Sequence, residues 1–331
     1  MPNTIAVEIT VARGDVTSFA ADVLVLKYAQ ALHGADEVVY RRIESWAKSV
    51  GMPQPGQHLT IPVTSNRLAV GKVLFLGVVE LYEFDYPKIR GFGIRAIEVV
   101  TSEFPEAVHI ALTIHGPGYG LDETEAFESE LAGVIEGLTS IGSANRIGRI
   151  TFVEHNRGRA ERLAIVLARL LPDHRLARTA SQALRGLDEP LRATLRTAGY
   201  SAASKPRVFV AMPFAAEMDD VFHYGIQGAS NAAGLLCERA DLAAFTGDVM
   251  SWVNDRIANA KFVIADLTSA NPNVYLEVGY ACGKGVPTIL LCKDLAVDLK
   301  FDVRGHRCLV YKSIKQLEEL LAGELTSLTR K

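Results

Sequence analysis

The sequence predicts an α/β protein made of two three-layer domains. Short, β-branched apolar runs alternate with helical patterns along most of the chain, and a segment of different composition divides that alternation into two stretches. Apolar runs that are nearly continuous are typical of parallel strands buried on both faces. The length of 331 residues agrees with two domains, because a domain holds roughly 150 residues.

The first stretch, residues 1–172, carries five strand patterns and four helical patterns. Strands are expected in IAVEITVARGD, ADVLVLKYA, KVLFLGVV, HIALTI and ITFVEH, and helices over residues 36–50, 86–104, 122–139 and 159–170. Alternating elements of this kind predict a largely parallel sheet covered by helices.

Residues 173–205 differ in composition from both flanking stretches. They are rich in Arg, Ala and Ser, poor in β-branched residues, and have prolines close to both ends of the segment. We predict a helical connector that ends in a flexible linker. Its arginines are spread along the segment and are not clustered with aromatic residues, which favours a solvated helix over a nucleic-acid or partner surface.

The second stretch, residues 206–331, shows the same alternation as the first. Strands are expected in RVFVAMPF, LLCERA, KFVIADL, VPTILLC and RCLVYK, and helices over residues 218–233, 249–260, 274–283 and 313–327. We therefore predict a second three-layer α/β domain.

Composition and charge argue against several classes of protein. Lys plus Arg number 35 against 38 for Asp plus Glu, so there is no strong electrostatic case for a nucleic-acid partner. No apolar run reaches the ~18 residues of a membrane span, and the first residues lack a signal peptide's apolar region. We expect a cytoplasmic protein without a membrane partner. The four cysteines lack zinc-site spacing, so we expect reduced thiols and no metal.

Candidate ligand-binding residues follow the strands of the second domain, because α/β sheets bind ligands beyond the carboxyl ends of their strands. Met212, Pro213 and Phe214 follow its first strand, and Phe214 is a candidate to stack on a base. Asp266 and Thr268 follow the KFVIADL strand. We expect these five residues to line one crevice.

The helix after that strand carries the strongest catalytic candidate. Asn271 or Asn273 is suited to cap the helix, and Pro272 blocks an earlier start. Glu277 then lies about one turn into the helix among apolar neighbours, where a carboxylate is costly to bury. The alternative is a surface residue that pairs with Lys284.

Four segments of the second domain carry a family resemblance. They are V-F-V-A-M-P-F (208–214), I-A-N-A-K-F-V-I-A-D-L-T (257–268), N-P-N-V-Y-L-E-V-G-Y-A (271–281) and G-K-G-V-P-T-I-L-L (283–291). Together they resemble the nucleoside 2-deoxyribosyltransferase superfamily, and they are also similar to the TIR-type NAD hydrolases. The resemblance implies a flavodoxin-like fold and no required cofactor. It also implies a homo-oligomer, since neighbouring subunits often complete the site in that family.

The same resemblance implies roles for individual residues. Glu277, in E-V-G-Y, matches the glutamate that attacks the anomeric carbon of the sugar in the transferases. Asp266 and Asn273 match positions that hold sugar hydroxyls, and Asp248, in G-D-V-M, is a further catalytic candidate. The chain has N-P-N-V where the transferases usually carry an acidic, glycine-containing turn. That difference favours a related N-glycosidase or a nucleotide-binding relative over strict deoxyribosyl transfer.

The first domain carries a different resemblance. The segments R-G-D-V-T-S-F-A-A-D-V-L-V-L-K-Y-A (13–29) and L-H-G-A-D-E-V-V (32–39) are similar to macro domains and to the macro-like N-terminal domain of leucine aminopeptidases. H-G-P-G-Y-G (115–120) adds a loop whose backbone N–H groups can cradle phosphate. The expected ligand is a nucleotide or an ADP-ribose-like molecule, and the candidate ligand-binding residues are Asp15, Gly34, Gly116, Gly118 and Gly120.

Two further observations concern this first-domain crevice. Lys27 stands where macro domains usually carry asparagine, and their glycine run is reduced to Gly34, which favours ligand binding or a scaffold role over removal of ADP-ribose. The segment 155–159 ends a strand and opens a helix. Its arginines either add positive charge to the crevice or belong to a plain helix start.

Three functions remain open on the sequence alone. The first is cleavage or transfer of an N-glycosidic bond by Glu277, because an oxocarbenium-like state is stabilised or captured by a carboxylate. Its substrate would be a nucleoside, a nucleotide or a dinucleotide such as NAD, and the macro-like domain would regulate it. The second is a TIR-like NAD hydrolase, a prokaryotic defence effector gated by a nucleotide. The third is a non-catalytic nucleotide-binding or scaffold protein.

Overall fold

A computed structural model describes residues 6–47, 51–64, 66–117, 119–141, 146–177, 189–239, 249–298 and 308–329. The chain forms two compact units, the first comprising Met1–Pro117 and Glu123–Ala202 and the second comprising Gly118–Asp122 and Ala203–Lys331. Each unit is built on one β-sheet with helices packed against it. The prediction of two α/β units is confirmed.

The first unit contains a seven-stranded sheet. Its strands are β1 (Ala6–Arg13), β2 (Ala21–Tyr28), β3 (His58–Pro62), β4 (Val70–Gly77), β5 (His109–Thr113), β6 (Arg149–Glu154) and β7 (Arg175–Ala177). They are ordered β3-β4-β2-β5-β6-β1-β7. The five inner strands pair in parallel, and the two edge strands are antiparallel to their neighbours. The inner strands therefore end at one common edge of the sheet.

The helices of the first unit follow the predicted patterns closely. They are α1 (Ala35–Ala47), α2 (Tyr86–Glu103), α3 (Glu123–Ser140), α4 (Arg157–Leu170) and α5 (Glu189–Thr197). Helix α2 begins after Asp85, whose side chain accepts a hydrogen bond from the backbone N–H of Lys88. Glycines let α2 and α3 approach closely, since a Cβ at Gly93 would lie 2.6 Å from the backbone oxygen of Glu130.

Two edge strands of this sheet differ from the sequence prediction. The helical prediction for the connector is wrong for Arg175–Ala177, because these residues pair with β1 as an antiparallel edge strand. A three-residue strand is too short to show a period. β3 was not predicted either, and its terminal proline, Pro62, is tolerated because the strand lies at an edge. Residues 178–188 of the connector lie outside the described residues.

The second unit contains a five-stranded sheet. Its strands are β8 (Arg207–Ala211), β9 (Leu236–Glu238), β10 (Phe262–Asp266), β11 (Thr288–Cys292) and β12 (Cys308–Val310). They are ordered β12-β11-β10-β8-β9 and pair in parallel throughout. Its helices are α6 (Ala216–Asp220), α7 (Gly228–Ala232), α8 (Val249–Ala258), α9 (Pro272–Gly283), α10 (Leu295–Asp298) and α11 (Ile314–Thr329).

Apolar cores cover both faces of this second sheet. Successive strand residues point to opposite faces, so Val208 packs in one core with Leu321 of α11, and Phe209 packs in the other with Val278 of α9. The second unit is therefore a three-layer structure, as predicted. Among the helices described in either unit, none is long and apolar enough to cross a membrane.

Candidate functional site

The strand order of the second sheet reverses between β8 and β10. From β8 the chain adds β9 on one side, and β10, β11 and β12 on the other. Parallel α/β sheets bind ligands at such a reversal, beyond the carboxyl ends of the strands. The loop that carries Phe214 follows β8, and the turn Thr268–Ala270 follows β10 and leads into α9. The predicted site residues of these two loops therefore share one edge of the sheet.

Glu277 lies in the second turn of α9, the helix that starts at this edge. Asn271 caps the helix, since its side chain accepts a hydrogen bond of 2.9 Å from the backbone N–H of Asn273. Pro272 is the first helical residue. Val278, next to Glu277, packs on the sheet, and Glu277 itself is half-buried beside that apolar contact.

The Glu277 carboxylate has neither a hydrogen-bond donor nor a cation within the part of the chain that the structure describes. Burial raises its pKa to about 7, and no partner opposes the shift. The pairing with Lys284 is not formed, since Lys284 makes no contribution to the Glu277 pKa, and its ammonium instead lies 5.5 Å from the centre of the Tyr280 ring. By contrast, the buried Glu238 receives a 2.9 Å hydrogen bond from Arg256. A carboxyl group whose pKa lies near 7 is suited to proton transfer or covalent chemistry.

Asp266, at the end of β10, is fully buried and hydrogen-bonded through both oxygens. Its Oδ2 accepts from the Tyr311 hydroxyl at 2.7 Å, and its Oδ1 accepts from the backbone N–H of Thr268 at 2.9 Å. Burial raises the pKa of Asp266, and the hydrogen bonds from Thr268 and Tyr311 partly offset that rise. This carboxylate faces protein groups, so it holds the turn after β10 in place.

That turn has unusual backbone angles. Ser269 and Ala270 have φ values of 65° and 47°, in the left-handed region, which costs residues with a Cβ about 1–3 kcal/mol each. Asp298 supports the turn: its Oδ1 accepts from the N–H of Ser269 at 2.9 Å, and its Oδ2 accepts from the N–H groups of Lys293 and Asp294. The buried Asp298 carboxylate therefore holds this strained turn in place.

Sequence reasoning missed Tyr311 and Asp298. Tyr311 directly follows β12, so the rule that selects residues after strands would have found it had we applied the rule to the last strand. Asp298 follows no recognisable motif. Its role depends on contacts with Ser269, 29 positions away in sequence, which no local pattern reveals.

The other predicted residues of the second unit have different degrees of exposure. Met212 is 2% exposed and packs in the core, and Pro213 is buried, so neither side chain is open to a ligand. Phe214 is 47% exposed, and Asn273 is exposed on the first turn of α9. Asp248 lies outside the described residues.

Phe214 has a cationic neighbour. The Arg239 guanidinium lies 5.6 Å from the centre of the Phe214 ring and 4.2 Å from that of Phe222. Arg239 also donates to the Asp219 carboxylate at 3.4 Å. Phe214 therefore presents an exposed aromatic surface beside a partly neutralised cation, which is a suitable platform for a planar base.

Three predicted residues of the first unit follow strands of the seven-stranded sheet at its common edge. Asp15, after β1, is exposed, and its Oδ1 accepts from the N–H and the hydroxyl of Thr17 at 2.8 and 2.7 Å. These hydrogen bonds lower the pKa of Asp15. Gly34 and Gly116 have φ values of 56° and 101°, which favour glycine. The crevice predicted there thus keeps an exposed carboxylate and two glycine turns.

The other two glycines of the predicted phosphate-binding loop are Gly118 and Gly120, and neither can be assigned to the crevice of the first unit. Gly118 lies outside the described residues. Gly120 belongs to the second unit, where a Cβ at this position would overlap the Trp252 ring. Its φ of 89° fits glycine, and the ring packed against it covers its backbone.

Charges near the edge of the seven-stranded sheet are largely paired. Lys27 is buried and forms a 2.5 Å ion pair with Asp36. Arg159 forms ion pairs with Glu123 at 3.2 Å and with Glu154 at 3.4 Å, so its charge is neutralised within the protein. The plain helix start is therefore the better interpretation of segment 155–159. In the ranges described above, no group of three or more His, Cys, Asp or Glu side chains is placed to hold a metal ion.

Comparisons by sequence found no match, either to a family profile or to a curated protein. Several solved structures are similar in shape. A macrodomain mutant with ADPR from Oceanobacillus iheyensis is 15% identical, covers 49% of this chain and 93% of its own, and has a TM-score of 0.39. A Clostridium botulinum CMP N-glycosidase is 20% identical, with 36% and 98% coverage and a TM-score of 0.28.

A tomato leucine aminopeptidase mutant is a third similar structure. It is 11% identical, with 89% and 84% coverage and a TM-score of 0.37. At these identities and scores, the likenesses assign neither a ligand nor an activity to this chain. The fold and the site themselves define the class: a two-unit α/β protein with a half-buried glutamate, unpaired within the described residues, on the helix that starts at the strand-order reversal of its second sheet.

Proposed function

We propose that the second unit cleaves the N-glycosidic bond of a nucleoside, a nucleotide or an NAD-like dinucleotide, by hydrolysis or by transfer. One observation carries the proposal: the Glu277 carboxyl, half-buried and without a partner among the described residues, has its pKa raised to about 7. It lies on the helix that starts at the strand-order reversal, where a ligand of this fold class binds.

Cleavage of an N-glycosidic bond is assisted by an ionised carboxylate beside the sugar. When the bond from the anomeric carbon to the base nitrogen breaks, its electron pair leaves with the base and positive charge develops on the sugar. Ionised Glu277 stabilises that charge, or forms a bond to the anomeric carbon that water or a second base then displaces. With a pKa of about 7, a large fraction of Glu277 is ionised at neutral pH.

Neighbouring residues support this arrangement in distinct ways. Phe214 offers an exposed ring on which the base can stack. Asn273, exposed on the first turn of α9, is a hydrogen-bond partner for sugar hydroxyls. Asp266, fully buried, positions the turn after β10 and does not contact the sugar.

A second candidate function is a gated, TIR-like NAD hydrolase. The crevice of the first unit, with exposed Asp15 and the glycine turns at Gly34 and Gly116, favours it because it offers a place for a nucleotide signal. Its basal activity would be low and would rise with ADP-ribose or a related nucleotide.

In a third hypothesis, the protein binds nucleotides without turnover. For each reading we propose a cytoplasmic homo-oligomer, which a monomer in light scattering would contradict.

Base release measured by mass spectrometry tests the proposed function. Wild type, Glu277→Gln and the control Glu319→Gln, an exposed glutamate of α11, are incubated with NAD, 2′-deoxynucleosides and nucleoside monophosphates that include CMP, with and without an acceptor base. We expect release by wild type and Glu319→Gln, and none by Glu277→Gln. Release from NAD only when ADP-ribose is added supports the gated hydrolase. Equal release by Glu277→Gln and wild type refutes the role of Glu277.

A further inference from the structure

The first unit contains a cavity that the proposed function does not use. Its volume is 220 Å³, and it lies between the end of β4, the residues Pro55 and Gly56, and one face of α2. Asp15, Gly34 and Gly116 are not among the residues that line it. The cavity therefore shares none of these three residues with the crevice predicted for a nucleotide.

Helix α2 presents one continuous face to this cavity. Lys88, Gly91, Phe92 and Arg95 line it, and their spacing of three and four residues places them on the same side of a helix. Phe92 also packs edge-on against the buried His115, with ring centres 4.3 Å apart. The apolar base of the cavity is therefore fixed by packing inside the unit.

Gly91 keeps the cavity open. A Cβ at this position would meet no heavy atom within 4 Å, whereas a Cβ at Gly93, two residues away, would lie 2.6 Å from the backbone oxygen of Glu130. Close helix packing thus explains Gly93 and does not explain Gly91. Glycine inside a helix lowers helix stability relative to alanine, so Gly91 makes α2 less stable. The absence of a side chain there leaves free space beside the cavity.

The polar groups that line the cavity are cationic. Lys88 Nζ lies 3.1 Å from Asp85 Oδ2, and that pair is about 40% exposed to solvent. Arg95 donates through Nη2 to the backbone oxygen of Gly56. Among the described residues no acidic side chain lines the cavity, and the remaining lining side chains are apolar: Pro55, Leu76, Val78, Val79, Phe84 and Phe92. An apolar lining with two cationic side chains favours a ligand that combines an apolar body with a negative charge.

We propose that this cavity binds a compact aromatic carboxylate. A cavity of about 150 Å³ holds benzene in another protein, so 220 Å³ holds one ring with a short acidic side chain. The ring would lie between Phe92 and the aliphatic side chains, and the carboxylate would lie near the cationic side chains of Lys88 and Arg95. Binding is non-covalent and independent of the chemistry proposed for Glu277.

Titration calorimetry on the full chain tests this site with phenylacetate and indole-3-acetate as probes. Their uncharged counterparts, phenylacetamide and indole-3-acetamide, have almost the same shape and lack the charge. We expect the acids to bind at least tenfold more tightly than the amides, and Arg95→Gln to remove most of that difference. Amides that bind as well as the acids would overturn the proposed role of charge.

Two glycine variants test the location. Gly91→Leu places a side chain in the open space and is expected to abolish binding, whereas Gly323→Leu, at an exposed position of α11 with equally open surroundings, is expected to leave it unchanged. Circular dichroism and melting temperature verify that both variants fold. If Gly91→Leu does not fold, Gly91→Ala replaces it, with a smaller expected loss. Wild-type binding in a folded Gly91→Leu, or no binding of any probe by wild type, would overturn the proposal.

Discussion

At the scale of single residues, partners distinguish Glu277 from the other buried acids of the second unit. Asp266 has the Tyr311 hydroxyl, Glu238 has Arg256, and Asp298 has three backbone N–H groups. Each of those carboxylates gains interactions that offset its burial. Glu277 has no such interaction within the described residues, so its charged form is destabilised in the folded protein.

This difference predicts how Glu277→Gln changes stability with pH. The folded pKa of about 7 exceeds the ordinary value of 4.5, so the folded state binds more protons than the unfolded state between these pH values. The contribution of Glu277 to stability therefore falls as pH rises, and its cost is complete above pH 7. We expect Glu277→Gln to gain about 3 kcal/mol relative to wild type between pH 4.5 and pH 8.

Urea unfolding of wild type, Glu277→Gln and Glu319→Gln at the two pH values measures this gain. The exposed control is expected to track wild type at both. A difference between Glu277→Gln and wild type that stays the same at pH 4.5 and pH 8 would show that Glu277 has an ordinary pKa.

Tyr311→Phe tests the hydrogen bond that holds Asp266. The substitution removes the 2.7 Å donor to a fully buried carboxylate, which is expected to cost about 1–3 kcal/mol of unfolding free energy and to raise the pKa of Asp266 further. Tyr224→Phe, at a 48% exposed tyrosine, is the matched control. Equal urea midpoints for the two variants would contradict the structural role of Tyr311.

At the scale of secondary-structure elements, the contact between α2 and α3 depends on glycine. A Cβ at Gly133 would overlap the backbone oxygen of Arg90, whereas a Cβ at Gly91 on the other side of α2 meets nothing. Gly133→Ala is therefore expected to lose about 1–3 kcal/mol through overpacking. Gly91→Ala is expected to gain about 0.5–1 kcal/mol from helix propensity. Denaturant unfolding compares them, and the same sign of change in both would contradict this packing.

Apolar periodicity was sufficient to predict the inner strands and nearly all helices, because those elements bury their side chains in the regular way. It failed where regularity ends. The predicted helix 218–233 contains a π-helical segment, Val221–Gln227, whose wider turn leaves no mark on a 3.6-residue pattern. The left-handed turn at Ser269 and Ala270 was not predicted, because neither residue is glycine, the residue that usually marks a positive φ in a sequence.

The exposure of the candidate site residues was predictable to a similar degree. Glu277 and Phe214 were selected by their position after strands and are open to a ligand in part, whereas Met212, selected by the same rule, faces the core. The direction of a side chain at a strand end depends on register and on the next loop, which sequence spacing alone does not determine.

At the scale of the whole molecule, the first unit extends through the connector to Ala202. Arg90 of α2 donates to the carbonyl oxygens of Leu195 and Ala198 at 2.8 and 2.7 Å, and its guanidinium lies 4.3 Å from the Tyr200 ring centre. Arg90 is only 6% exposed. The end of α5 and the residue after it therefore supply acceptors to a buried cation of the first unit.

Two fragments test whether the first unit needs the connector up to Ala202 in order to fold stably. Residues 1–202 retain β7 and the acceptors of Arg90, whereas residues 1–172 lose both and leave buried donors unsatisfied. We expect fragment 1–202 to melt cooperatively, and fragment 1–172 to melt at least several degrees lower or not to fold. Equal melting temperatures in calorimetry would contradict the anchoring role of Arg90.

The pH dependence of base release by wild type and Glu277→Gln tests the central claim most directly. The substrate is whichever compound the wild-type protein cleaves. If ionised Glu277 carries the reaction, kcat/KM of wild type rises with pH and levels off with an apparent pKa near 7. The same kcat/KM falls by about 100-fold or more in Glu277→Gln. Equal kcat/KM and equal pH profiles for the two proteins would contradict the account.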